Sequence, residues 1–145
     1  MSRSVVASGV LYKHDFMGRI YHKILLKSTG KYYATYYTSI PAAVILSRLI
    51  IGTKHNSWNF TDLESIKNLR IVDPACGSGT LLSGIYTAIR DIACGYLTSG
   101  EIKQLHKILV EKVIYGYDVL DYATHLTLTS LDHVKISPPE CSIGI

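Results

Sequence analysis

Cysteine and proline are scarce in this 145-residue chain, with three and four residues respectively. Cys76, Cys94 and Cys141 are odd in number and far apart. They form no CxxC pair and no ligand spacing with the six histidines, which supports neither a disulfide frame nor a zinc site. A reduced, cytoplasmic protein is the default for such cysteine usage. Long hydrophobic runs are also lacking: nothing approaches the roughly eighteen uncharged apolar residues of a membrane span. The N-terminus has one early basic residue, Arg3, but no sustained apolar core and no clear cleavage site, so it does not read as a signal peptide.

Acidic residues are few in the first half only. Residues 1–70 carry ten Lys/Arg against three Asp/Glu, a net +7, whereas residues 71–145 carry five against eight, a net −3. A basic, tyrosine-rich half is able to face phosphates; a solvated surface over a tyrosine-filled core is the simpler account. What is abundant is apolar surface to bury. Hydrophobic residues make up 48% and charged residues 18%, which excludes a disordered tail and fits one domain with a proper core.

Tyr12, Phe16, Ile20 and Ile24 recur every four residues, with Met17 and Tyr21 beside them, and Gly30 ends the stripe: a first helix. A second helix is expected over "TSIPAAVILSRLI", capped by Thr38 or Ser39, with Pro41 in its first turn and Ile45, Leu46, Leu49 and Ile50 on its buried side. After a polar loop, Asp62 is placed to cap a short turn. "NLRIVD" then reads as a buried strand running into glycines, followed by helical spacing at Leu81, Ile85, Ala88, Ile89 and Ile92. "GEIKQLHKILVEK" is a helix with Ile102, Leu105 and Leu109 on one side, "VIYGYD" a second strand, and "YATHLTLTSLDHV" a helix weakened by its threonines. "KISPPE" breaks the pattern, and "CSIGI" is a candidate third strand. Strand, glycine turn, helix, strand, helix opens a doubly wound α/β sheet. The expected organisation is an N-terminal helical segment over 1–60 and the first part of the sheet domain over 61–145.

The turn "DPACGSG", Asp73 to Gly79, carries the chemistry. Ligands of open parallel sheets sit beyond the carboxyl ends of the strands. Gly77 and Gly79 can take positive φ and let backbone approach a bound molecule, and the following helix offers unpaired N–H groups. A phosphate-binding P-loop is excluded by the missing lysine. Leu82 stands where a dinucleotide turn needs its third glycine, and Asp73 would repel a pyrophosphate. An acid with GxG suits a ligand with a cationic end and a ribose, and S-adenosylmethionine has both. The bland alternative is a tight strand-to-helix turn. At the end of the second strand Asp118 is placed to bind ribose hydroxyls, with Val119 to pack on a purine. Asp91 and Glu101 are closer in sequence but fall within or at the start of helices, and Asp121 is the expected cap of the last helix.

"DPACGSGTLL" resembles motif I of the N6-adenine DNA methyltransferases, especially those of type I and fused restriction–modification systems. "GKYYATYYTSIPAAVILSRL" looks like their upstream YYTP element, and "GYDVLDYATHLTLTSL" is similar to motif II, so the resemblance covers about residues 15–135. It implies a partial Rossmann-like fold that binds S-adenosylmethionine. Tyr37 and Thr38 would lie at the methionine end, Asp73, Pro74, Ala75, Cys76, Gly77 and Gly79 would wrap the amino-acid and sulfonium portion, and Asp118 and Val119 would take the ribose and adenine. Ser39 stands where the family has proline, and Pro41 follows two places later. The family's catalytic Asn-Pro-Pro-aromatic signature is missing. Its one candidate, "SPPE" at Ser137–Glu140, lacks the amide and the ring and reads as a loop. No catalytic residue is therefore assigned. The expectation is a cofactor-binding portion of a DNA methyltransferase, inactive alone, with DNA and restriction–modification subunits as partners and self-association through unpaired sheet edges and exposed apolar faces. The alternative is a non-catalytic remnant that binds cofactor or a partner subunit and regulates a methyltransferase complex. A small-molecule, RNA or protein methyltransferase is a weaker third reading, because motif I alone is widely shared.

Overall fold

The computed structural model describes residues 38–54 and 57–132. The expected first helix, Tyr37, the "SPPE" stretch, Cys141 and the candidate third strand lie outside the described residues. Within them the order is α1 (Ile40–Lys54), α2 (Leu63–Lys67), β1 (Ile71–Asp73), α3 (Thr80–Ala93), α4 (Ser99–Ile108), a π-helical turn (Leu109–Val113), β2 (Ile114–Gly116) and α5 (Asp121–Asp132). The two strands pair in parallel, with Ile71 opposite Ile114, Val72 opposite Tyr115 and Asp73 opposite Gly116. This is a mixed helix–strand arrangement in which β1, α3, α4 and β2 form the strand–helix–strand unit expected from the sequence.

Local chemistry accounts for several boundaries. Asp62 caps α2 as expected, its Oδ1 accepting the Ser65 N–H at 2.7 Å. Helix α4 starts at Ser99, earlier than its apolar spacing indicates, because Thr98 and Glu101 form a reciprocal capping box. Past Ile108 the chain widens into the π-helical turn, which buries both Leu109 and Val113 before Ile114 enters β2. Asp121 is the first residue of α5 itself, where its charge still favours the helix N-terminus.

The core lies between α3, α4 and the π-helical turn, with α2 packed on one side. Ile66, Tyr86, Ile89, Leu105, Leu109 and Val113 are fully buried. Ile102, Leu105 and Leu109 share one buried side as expected. Tyr86 adds a polar contact inside this core, its Oη standing 3.0 Å from His106 Nδ1. Burial pushes its phenol above the usual value, partly offset by Arg90, so the ring stays protonated.

Two packing expectations are corrected. Helix α1 does not bury Ile45, Leu46, Leu49 and Ile50; all four are exposed, Ile45 at 60%. It buries Ala43, Ser47 and Ile51 and packs along α3, where Gly84 faces Ala43 and Ser47. Apolar residues lie almost all round this helix, so spacing alone could not select a face. Close approach to Gly84 selected the small residues. Nor is β1 buried on both faces: Val72 is 56% exposed between half-buried Ile71 and Asp73. Among the described residues no helix covers that face, and β2 is the only strand beside β1.

Candidate cofactor site

β1 ends at Asp73, and the chain turns through Pro74 to Gly79 into α3. Strand pairing continues past the strand ends: Tyr117 N–H donates to the Asp73 carbonyl and Cys76 N–H to the Tyr117 carbonyl, both at 2.9 Å. These bonds lock the segment after β2 against the turn. The turn closes on itself through Gly79 N–H to the Cys76 carbonyl at 2.8 Å.

Gly77 has φ +55° and Gly79 φ +79°, the left-handed values expected of them. Around Gly77 a side-chain carbon would meet nothing within 4 Å, so the backbone there borders open space. At Gly79 the same carbon would come within 2.9 Å of Thr127 Cγ2. Gly79 also stands at the N-cap of α3 and offers no side-chain acceptor to the helix's first amides.

Two acids converge on the turn. Asp73 Oδ1 accepts the Ala75 N–H at 3.1 Å, while its Oδ2 is buried and has no hydrogen-bond partner among the described residues. Asp118 reaches the turn from the end of β2: Oδ2 accepts the Gly77 N–H and Oδ1 the Leu120 N–H, each at 2.9 Å. The sequence places Asp118 at a strand end as an expected ribose ligand; the structure shows a direct tie from it to the glycine turn. Val119, beside it, is 87% exposed. Pro74 and Ala75 are exposed, and Thr38 is half-buried just before α1. Asp91 and Glu101 take no part: Asp91 lies exposed on α3, 3.9 Å from Arg90, and Glu101 is occupied by the α4 cap.

Cys76 is buried beneath the turn, 6% exposed. Burial pushes its thiol above the ordinary range; the Thr127 hydroxyl, 3.6 Å from Sγ, opposes the rise, and the Asp118 and Asp73 carboxylates each add a smaller increment to it. Burial and the raised thiol both disfavour the thiolate that nucleophilic chemistry would need. A side-chain carbon at Gly116 would meet Leu82 Cδ1 at 2.9 Å and Cys76 Sγ at 3.0 Å, so that glycine lets β2 close over the turn.

Sequence reasoning missed Thr127, which is 5% exposed and donates from Oγ1 to the Gly77 carbonyl at 2.9 Å. Ala123, Thr127 and Leu131 lie four residues apart and are all buried. That spacing was the available signal: it puts one hydroxyl on an otherwise apolar buried stripe, where it needs a partner. Among the described residues no cluster of His, Cys, Asp and Glu could hold a metal ion, and no helix is long and apolar enough to cross a membrane.

The N-6 DNA Methylase family model matches residues 12–135. "DNA methyltransferase A" of Bacillus subtilis (strain 168) is 25% identical over 136 residues, covering 81% of this chain. The chain spans 15% of that relative's length. No solved structure matches. The family match takes in both strands, the glycine turn between β1 and α3, and the whole of α5, and on that extent the chain belongs to the N-6 DNA methylase family.

Proposed function

We propose that this chain is the S-adenosylmethionine-binding portion of an N6-adenine DNA methyltransferase of a restriction–modification system, built on the first part of a Rossmann-like sheet. The observation that carries the reading is Asp73 Oδ2, a buried carboxylate oxygen at the tip of β1 with no donor among the described residues. Such an atom is costly unless a donor reaches it, and the ammonium of an amino-acid moiety is a donor of the right charge. The open space at Gly77 supports the same ligand.

Asp118 fits the ribose. Each of its oxygens accepts one backbone N–H and keeps acceptor capacity for a hydroxyl. The exposed Val119 offers an apolar face to the adenine. Thr38 borders the methionine end in this reading, and Pro74 to Gly79 wrap it. When bound, S-adenosylmethionine supplies an electrophilic methyl group. The chain's own residues bind and orient that group; presenting an adenine amino nitrogen needs the Asn-Pro-Pro-aromatic element, which these 145 residues do not contain. Cofactor binding without turnover is the expected behaviour of the isolated chain, and a DNA substrate implies a cytoplasmic setting.

Calorimetric titration with S-adenosylmethionine tests the reading. Saturable binding that is lost in Asp73→Ala supports it. Absence of binding by the parent chain, or equal binding by the variant, sinks it.

A further inference from the structure

Thr127 belongs to none of the cofactor contacts above, yet it governs the geometry of the turn. Its hydroxyl donates to the Gly77 carbonyl at 2.9 Å from a position fifty residues downstream. That carbonyl and the Ser78 N–H belong to one trans peptide group, so they point in opposite directions. Drawing the carbonyl toward α5 therefore turns the Ser78 N–H away from α5. The Ser78 N–H makes no hydrogen bond within the described residues. Asp118 meanwhile holds the Gly77 N–H on the preceding peptide. The 76–77 peptide is held at both ends, its Cys76 carbonyl by the Gly79 N–H and its Gly77 N–H by Asp118. Glycine at positive φ leaves the 77–78 peptide free to flip unless something outside the turn fixes it, and Thr127 does so.

We propose that Thr127 is a positioning residue of the cofactor site: by holding the Gly77 carbonyl it aims the Ser78 N–H at an acceptor on the ligand, the carboxylate of its amino-acid end. The target of that N–H rests on the cofactor reading above; the fixing of the peptide does not. A packing role is the competing account, since Thr127 Cγ2 lies where a Gly79 side chain would be. The two accounts order the conservative variants oppositely. Thr127→Ser keeps the hydroxyl and loses the methyl, whereas Thr127→Val keeps the shape and loses the donor.

The full chain and both variants are titrated with S-adenosylmethionine and with its decarboxylated analogue, with the thermal midpoint recorded for each. Positioning requires Thr127→Ser to bind like the parent and Thr127→Val to bind about tenfold more weakly, as loss of one directed hydrogen bond implies. The difference should vanish with the decarboxylated analogue. Equal binding by Thr127→Val and the parent, or a larger loss in Thr127→Ser than in Thr127→Val, overturns it. If the parent binds no cofactor, the cofactor reading fails and the peptide claim is decided separately by the Gly77 carbonyl carbon shift in the free protein. That shift must move in Thr127→Val and stay in Thr127→Ser; an unmoved shift in Thr127→Val overturns the positioning role.

Discussion

Ser47 and Gly84 meet where α1 packs on α3, so closely that a side-chain carbon at residue 84 would stand 2.8 Å from Ser47 Oγ and 3.1 Å from the Ala43 carbonyl oxygen. Ser47 is 2% exposed and already donates to that carbonyl at 2.7 Å. The contact has no slack. Gly84→Ala should therefore destabilise the chain by about 1–3 kcal/mol through overpacking. Gly52 in α1 has nothing within 4 Å, and Gly52→Ala should stabilise by up to about 1 kcal/mol through helix propensity. Urea denaturation midpoints read both, and the same sign in the two variants would refute the packing account.

Acid should loosen the capped helices. Two Ser65 hydrogen bonds, the larger from its N–H, hold Asp62 below its usual 3.8. The Thr98 hydroxyl and N–H hold Glu101 below its usual 4.5. Depressed carboxylates bind fewer protons folded than unfolded, so their stabilisation is present above the usual values and lost as pH falls through the lowered ones. Both groups are exposed, and the effect is small. Asp62→Asn and Glu101→Gln should flatten the acid limb of a stability–pH curve; an unchanged limb would show that other groups dominate it.

Asp118→Ala should weaken S-adenosylmethionine binding and also destabilise the free protein by about 1–3 kcal/mol, since it strips the Gly77 N–H of its acceptor. Asp91→Ala should do neither, because that carboxylate lies exposed on α3 away from the turn. Paired calorimetry and thermal melts separate the two acids. Equal effects from both substitutions would remove the special role of Asp118.

The outer face of α1 should drive self-association of the isolated chain. Ile45, Leu46, Leu49 and Ile50 form a contiguous exposed apolar strip over about two turns. Light scattering across a concentration series should show oligomers that Leu46→Lys with Leu49→Glu converts to monomers. A parent chain that stays monomeric throughout would count against the proposal.

The geometry of the glycine turn was more legible in the sequence than the packing around it. Gly77 and Gly79 declared their backbone angles because only glycine tolerates them cheaply, and Asp62 declared its cap through residue type and place. Asp118 could be placed at a strand end, but its grip on Gly77 spans 41 residues and no local pattern encodes it. The face of α1 was misread because side-chain size, not polarity, decided it. Thr127 was overlooked because threonine in a helix reads as low propensity before it reads as a buried donor.

The parallel pairing of β1 with β2 also bears on how the chain reaches this state. Ile71 meets Ile114 only after the intervening helices have been looped out, and such distant pairing is slow relative to local helix formation. Both outside ties to Gly77 are made by residues at or beyond the end of β2. The cradle is thus a late product of folding, absent from any intermediate that holds α3 and α4 alone. A ligand selective for it would bind only fully folded molecules, and its binding rate in a refolding experiment would time the final step.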